Sequence, residues 1–385
     1  MMKQKRDLYC FKPFQIVKCS ARYEYPVPKP RSGHRIVCDE SNIYVFGGYN
    51  PENLRGPPGT NVLFKEIWVY NFATRTWVVV YPPNMPNELA SSAVILRGST
   101  MIIFGGTGYP FGAVSGSEVH VCNVRDNFNI TAITAEGSIP PKLYGQALVL
   151  DGRRLYTVGG TTGHEFTTDI HCLDLKTKVW EEVYVYSANA RSPEGRYRHE
   201  LAFDGTRIYV LGGGTVDTTF GFKDIDAFNI VTKKWEIVST KCDNRVRPPG
   251  YPPPRQFHGC VQLPEEGLQE PAVFICGGYG NSHSFRDIWK LSLKTLQWTY
   301  VRECSFPQTL YFHSSAITPY GCMYTFGGVT RDNKRINDLY ATWVCIPKLE
   351  EMCWEAILHY NPDLYLTAKD KLLSYGFPRK FVGRL

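Results

Sequence analysis

The chain has 385 residues, 43% hydrophobic and 21% charged, with a formal charge of +7 from 43 basic and 36 acidic side chains. That is long for one ordinary domain and only moderately basic, and the bases lie among acids rather than in runs, which argues against a nucleic-acid-binding surface. No stretch approaches membrane-spanning length, and the basic start MMKQKRDLYCFKPF has no apolar core of signal length, so an intracellular, reduced protein with no membrane partner is expected.

Residues 1–30 form an N-terminal segment in which Phe14-Gln15-Ile16-Val17 reads as a short strand and Pro26, Pro28 and Pro30 mark a connector. Six strands ending in a Gly pair follow: YVFGG at Gly47-Gly48, IIFGG at Gly105-Gly106, YTVGG at Gly159-Gly160, YVLGG at Gly212-Gly213, FICGG at Gly277-Gly278 and YTFGG at Gly327-Gly328, spaced 50 to 65 residues apart. An acid and an aliphatic residue come 10 to 19 residues later each time: Glu66-Ile67, Glu118-Val119, Asp169-Ile170, Asp224-Ile225, Asp287-Ile288 and Asp338-Leu339. In four of the six a Trp falls 11 residues after the acid, at Trp77, Trp180, Trp235 and Trp298. The loop length varies while the acid-to-Trp distance does not, as a fixed strand-turn-strand unit requires.

This pattern resembles kelch repeats over roughly residues 31–345, and the resemblance implies an all-β, six-bladed propeller with four strands, A to D, in each blade. In blade two Asn129 stands where the Trp should be, and Phe128 is expected to take over its packing. Blade five carries an insertion, Pro264 to Pro271, that reads as an exposed A–B turn. Blade six has Leu349 in place of a Trp, inside a helical segment, so its strand D must come from elsewhere. The Phe14-to-Val17 strand is the one available to close the ring and protect the edge. The propeller is thus placed at 31–346, and a small helical appendage at 347–385.

Counting back from each Gly pair gives His34, Ser92, Gln146, His199, His258 and His313 at the heads of the innermost strands. These heads converge on one mouth of the channel, and just before them stand Arg31, Tyr144, Arg196, Tyr197, Arg198, Arg255, Gln256, Tyr311 and Phe312. A histidine here also fits a plain structural role, bonding a neighbouring blade's backbone, and the arginines also fit ion pairs with the acids that open strand C. Convergence favours a carboxylate receptor, because guanidinium binds carboxylate bidentately and captured chain termini use that chemistry. Arg196, Arg198 and Arg255 are expected to share one carboxylate, with Arg31 across the channel.

The twelve cysteines include no Cys-x-x-Cys pair, and those in apolar runs, such as Cys38, Cys276 and Cys322, read as small buried hydrophobes. No nucleophile elbow, phosphate loop or zinc-protease motif is present, so neither cofactor nor metal is expected and a non-catalytic protein is read.

After Pro347 the period changes: Leu349, Met352, Cys353, Ala356, Ile357 and Tyr360 recur at helical spacing. A second helix is expected from Thr367, with Thr367 and Asp370 as a capping box, ended by Phe377-Pro378. The spacing Leu349-x-x-x-Cys353-x-x-x-Ile357 resembles the elongin-binding box of ubiquitin-ligase receptors, with Lys348 departing from the small residue or Pro usual before that Leu, and Phe377-Pro378 resembles the start of a cullin-2-selecting box. With RSGHR at 31–35, ELASSAVIL at 88–96, FGGTGYPFG at 104–112, SEVHVCNV at 117–124 and RYRHE at 196–200, the chain is similar over most of its length to kelch-repeat substrate receptors of cullin-2 ubiquitin ligases. The resemblance implies a receptor that binds elongin B/C and cullin-2, reads target C-termini ending in Gly, and works in the cytoplasm, with the nucleus also open to it. The competing readings are a kelch scaffold whose helices pack only in cis, and a kelch enzyme.

Overall fold

The structure is a computed structural model that describes residues 8–53, 62–186, 192–263 and 270–385. Six antiparallel sheets stand around a central channel, and their innermost strands are Arg35–Cys38, Ala93–Arg97, Ala147–Asp151, Glu200–Phe203, Gly259–Leu263 and Ser314–Ile317. Each innermost strand packs beside those of the blades before and after it, and the last returns to the first. The chain is therefore the six-bladed propeller that the Gly pairs predicted. The loop at 264–269, expected to be an exposed turn, lies outside the described residues.

The Gly pairs are where one blade touches the next. The second glycine donates its N–H to a carbonyl of the following blade: Gly48 to Leu89 at 2.8 Å, Gly106 to Leu143 at 3.2 Å, Gly160 to Arg196 at 3.0 Å, Gly213 to Arg255 at 2.9 Å and Gly278 to Leu310 at 2.7 Å, with Gly328 to Arg31 at 2.9 Å closing the circle. Gly47 and Gly48 have φ of 63° and 108°, and a Cβ on Gly47 would lie 2.3 Å from the Leu89 carbonyl oxygen. Only glycine satisfies both the backbone angle and that approach.

Between blades lies the core. Trp77, Trp180 and Trp298 are buried, and the Trp298 indole donates to the Phe222 carbonyl at 3.0 Å. In blade two, Phe128 packs with its ring 6.0 Å from that of Tyr44, beside the place that four of the other blades give to Trp. Blade three gains a fifth strand, Glu136–Gly137, parallel to its outer strand, which the sequence pattern did not anticipate.

Blade six ends at Leu339–Trp343, and the N-terminal segment supplies its outer strand in antiparallel register, Val17 opposite Ala341 and Cys19 opposite Leu339. The strand is Val17–Cys19 rather than Phe14–Val17. Lys12-Pro13-Phe14 turns first: Phe14 has φ of 57°, donates to the Trp343 carbonyl at 2.8 Å, and packs with Ile16 against the core of blades five and six.

The appendage comprises α1 (Leu349–Tyr360), a 3-10 turn (Leu364–Leu366), α2 (Lys369–Ser374) and α3 (Arg379–Val382). It docks beneath blade one, where Trp354 stacks on Phe381 with centroids 5.1 Å apart and both meet Ala73. Arg384 holds Glu351 through two bonds of 2.6 and 2.9 Å and reaches the ring of Tyr320 in blade six. The docked face is therefore Glu351 and Trp354, while Leu349 and Cys353 of the apolar stripe face solvent. The capping box does not form: α2 starts at Lys369, and its N-cap, Ala368, offers no side-chain bond. Pro378 is the N-cap of α3, as a break after Phe377 requires.

Candidate functional site

His34, Ser92, Gln146, His199, His258 and His313 each immediately precede an innermost strand, but the histidines and Gln146 turn toward the preceding blade rather than into the mouth, and Ser92 Oγ donates to the Glu88 carbonyl of its own blade at 2.8 Å. His34 Nε2 bonds the Phe326 carbonyl at 3.0 Å and His199 Nε2 the Val158 carbonyl at 3.1 Å. His313 Nε2 approaches Cys276 Sγ at 3.6 Å, and the His258 ring stands edge-on to Phe222. Gln146 lies against Gly105. Burial, before any neighbouring charge, holds all four histidines below their ordinary value, His199 at about 3 and His313 at about 4. They are neutral at pH 7 and bring no charge to an anion.

Three residues before the histidines of blades one, four and five stand Arg31, Arg196 and Arg255, and here the expectation of a shared carboxylate is corrected. Each guanidinium is buried against an acid of its own blade. Arg31 meets Glu66 at 2.7 Å, Arg196 meets Asp226 at 2.5 Å, and Arg255 holds Asp287 bidentately at 2.6 and 2.9 Å. Each also donates through Nε to the carbonyl two residues earlier and lies under an aromatic ring, Phe64, Phe220 or Phe285, 3.7 to 4.1 Å from its centroid. Glu66 and Asp287 open strand C as anticipated, whereas Arg196 takes Asp226, two residues inside Asp224. Blades two, three and six carry buried Leu89, Leu143 and Leu310 at this position.

The mouth itself is built on the residues immediately before these six strand-head residues: Gly33, Ser91, Gly145, Arg198, Phe257 and Phe312, all with positive φ between 54° and 69°. Each donates its N–H to the next around the axis: Ser91 to Gly33 at 2.8 Å, Gly145 to Ser91 at 3.0 Å, Arg198 to Gly145 at 2.7 Å, Phe257 to Arg198 at 3.4 Å, Phe312 to Phe257 at 3.0 Å and Gly33 to Phe312 at 3.1 Å. This closed ring of backbone bonds places six residues around the axis, four of them with side chains. Phe257 and Phe312 stack at 3.9 Å and fill one side, while Gly33, Ser91 and Gly145 leave the other side low.

Arg198 is the charged member. Its guanidinium crosses to the Ser91 hydroxyl and lies 5.0 Å from the Phe312 centroid; among the described residues it has no carboxylate partner, and its Nε has no partner. Burial, then the nearby charge of Arg35, lowers its pKa to about 10, so it remains a cation at pH 7. A buried charge without a counterion is costly, and such a group facing a cavity marks a candidate ligand site.

Above the low side is a cavity of about 180 Å³ with Gly33, Ser91 and Arg198 at its floor, Tyr144, Tyr197 and Phe111 as walls and Arg335 on its rim. Arg335 donates to Ser32 Oγ at 3.1 Å and lies 5.0 Å from the Tyr49 centroid. The structure thus brings together Arg198, Tyr144 and Tyr197 of the expected set. Tyr311 stays outside, against Tyr279.

Arg335 was missed. Its signal lay in register: the residue after each Gly pair bridges back to one residue of the returning loop, and at that place stand Leu63, Ser115, Phe166, Thr219, Ser284 and Arg335. A fixed guanidinium over a closed floor, with tyrosines beside it, suits one carboxylate. Among the described residues no cluster of three His, Cys, Asp or Glu is placed to hold a metal ion.

Comparison with known proteins gives a consistent answer. The family described as KLHDC2/KLHL20/DRC7 Kelch-repeats domain matches residues 2–213 and 59–266, and the Kelch motif matches residues 271–305. The chain is 42% identical over 380 residues to Kelch domain-containing protein 10 of Rattus norvegicus, covering 96% of this chain and 90% of that protein. It is 42% identical over 364 residues to Kelch domain-containing protein 10 of Homo sapiens, covering 93% and 80%. The Kelch domain-containing protein 10 homolog of Drosophila melanogaster is 40% identical over 401 residues, covering 98% and 66%.

Proposed function

Because the chain belongs to the kelch domain-containing protein 10 family, we propose that it is the substrate-recognition subunit of a cullin-2 RING ubiquitin ligase, binding the C-terminal carboxylate of Gly-ended targets at Arg198. The observation that carries this reading is the buried Arg198 guanidinium, the one arginine of the four expected that has no acid of its own, facing a small cavity whose floor carries Gly33 and Ser91. A terminal carboxylate supplies the missing anion, Tyr144 and Tyr197 flank the last residues, and Arg335 screens the entrance. The receptor has no catalytic role; it holds the target while partners transfer ubiquitin.

Those partners dock at the other end. The A–B and C–D turns carry the appendage, and the B–C loops form the mouth, so target and ligase approach from opposite ends. Leu349 and Cys353 stand one turn apart on the free face of α1, with Leu349 73% exposed and Ile357 half-buried behind them, an arrangement suited to elongin C. Pro378 is exposed beside half-buried Phe377 for cullin-2. The working compartment is the cytoplasm, with the nucleus also open to it.

The docking of α1 through Trp354 favours a second reading, a scaffold whose helices serve only in cis. A binding titration with Gly-ended peptides as free acids and as amides tests the first. Arg198→Ala is expected to weaken the free acid by about 1.5 to 3 kcal/mol, the range for charge-assisted hydrogen bonds, and amidation is expected to remove that dependence. Equal binding of acid and amide, together with failure of elongin C to co-purify, would leave the scaffold.

A further inference from the structure

The first residues of the six innermost strands are Arg35, Ala93, Ala147, Glu200, Gly259 and Ser314. Four are small, and the two large ones, of opposite charge, belong to blades one and four. The order of the innermost strands around the axis puts three steps between these blades in either direction, so they face each other across the channel. Arg35 Nη1 reaches Glu200 Oε1 at 2.7 Å, and Arg35 Nε donates to the Ser92 carbonyl at 3.2 Å. The side chains are 14% and 16% exposed. The charge of Arg35 is felt by the buried histidines of blades one, four, five and six as well as by Arg198, which fits a guanidinium near the axis.

We propose that Arg35 and Glu200 form a diametric strut that stops the channel beneath the mouth and reserves Arg198 for a ligand's carboxylate. This rests on the carboxylate reading of the mouth and adds the residues that make it specific for chain ends. With the strut in place the cavity over the Gly33-to-Phe312 ring is blind, so a polypeptide enters by its terminus and does not thread through. The strut also sets the charge. Glu200 lies two residues after Arg198 and within electrostatic reach of it, and would pair with it were Arg35 not already its partner. The strut neutralises its own two charges and leaves that of Arg198 at the floor for a single terminal carboxylate, with Arg335 a further cation on the rim. Arg35 and Glu200 are thus positioning residues that act through Arg198.

The test uses fluorescein-labelled peptides ending in Gly, as free acid and as amide, against the full chain and three variants. Arg35→Leu releases Glu200 to pair with Arg198, and free-acid binding should fall about 30-fold, the scale of a lost charge-assisted bond left with a competing charge. Glu200→Gln leaves two unpaired guanidiniums, and free-acid binding should tighten at least about threefold with a steeper dependence on salt. The double variant should return to near wild-type affinity, a rescue that a merely structural brace would not give. Undiminished acid preference in Arg35→Leu, or weakening in Glu200→Gln, overturns the strut while leaving the carboxylate reading intact. Equal binding of acid and amide by the unaltered protein overturns both. Thermal unfolding is recorded for each variant, and if Arg35→Leu does not fold, the near-isosteric Glu200→Gln decides.

Discussion

At the mouth the six blades close on one another with their own backbone, through the hydrogen-bonded circle from Gly33 to Phe312, whereas at the base closure depends on both ends of the chain. The strand Val17–Cys19 completes blade six, and Arg22 then ties three parts together: it donates to the Thr74 carbonyl of blade one at 2.9 Å, to the Pro362 carbonyl at 2.6 Å and to the Asp363 carboxylate at 3.0 Å in the appendage. The two ends also differ in what they leave open. The mouth leaves a cation over a small cavity. The base leaves apolar side chains such as Leu349 in solvent, and a wider cavity of about 630 Å³ along the seam where the N-terminal segment, the propeller and α1 meet. A surface finished from within can be rigid and selective by charge, while one assembled from added segments offers area to a partner.

The largest expected effect comes from breaking the base. Removing residues 1–25 strips the outer strand from Leu339–Trp343, withdraws Phe11, Phe14, Ile16 and Cys19 from two cores, and exposes a sheet edge. Loss of a cooperative thermal transition, with aggregation, is expected; unchanged unfolding of the truncated protein would sink the closure argument. Next in size is a contrast within the mouth end. Arg255→Ala leaves the Asp287 carboxylate, 18% exposed, without its bidentate partner and should cost about 3 to 5 kcal/mol in urea denaturation. Arg198→Ala removes a buried charge that has no carboxylate partner among the described residues, so stability should hold or rise even as peptide binding weakens. Equal destabilisation by the two substitutions would erase the distinction between the arginines paired with an acid of their own blade and the ligand arginine.

That distinction is also where sequence reading stopped. The blades were legible because each Gly pair marks a contact that only glycine permits, and the strand heads because the His34-type position stays next to the first residue of each innermost strand. Arg196 and Arg198, by contrast, look alike in RYRHE. What separates them is an acid in the same blade, Asp226, and the left-handed turn at Arg198 that swings its side chain over the axis. Neither the pairing nor the turn is written in residue type, since Ser91, Phe257 and Phe312 adopt the same turn as Gly33. Arg335 was hidden for another reason: loop lengths after the Gly pairs differ, and only the bridge from Val329 shows which loop residue faces inward. At the base, helical spacing located α1 but not its docked face, because Glu351 faces inward to meet Arg384.

The effect that is smallest over any single pH unit is a dependence on acid that separates the two ends. His34, His199, His258 and His313 all sit at the strand heads beneath the mouth and are held neutral by burial, His199 at about 3 and His313 at about 4. In the unfolded chain they take up protons near pH 6.5, so below that pH the unfolded state binds more protons than the native one and stability falls with falling pH. For His199 this stability is complete above pH about 6.5 and is lost progressively down to pH about 3, with a slope of up to about 1.4 kcal/mol per pH unit between them; His313 behaves likewise down to pH about 4. Replacing His199 with Gln, which keeps a donor for the Val158 carbonyl, should flatten the stability profile by that amount across this window, whatever it does to stability at pH 7. Hydrogen exchange adds the spatial half of the test. As the pH is lowered toward 4, amides of the ring at Gly33, Arg198 and Phe312, corrected for intrinsic rates, should lose protection before those of Val17–Cys19 at the base. An unaltered slope in His199→Gln, or earlier loss of protection in the N-terminal strand, would mean that the acid-sensitive element is not the mouth.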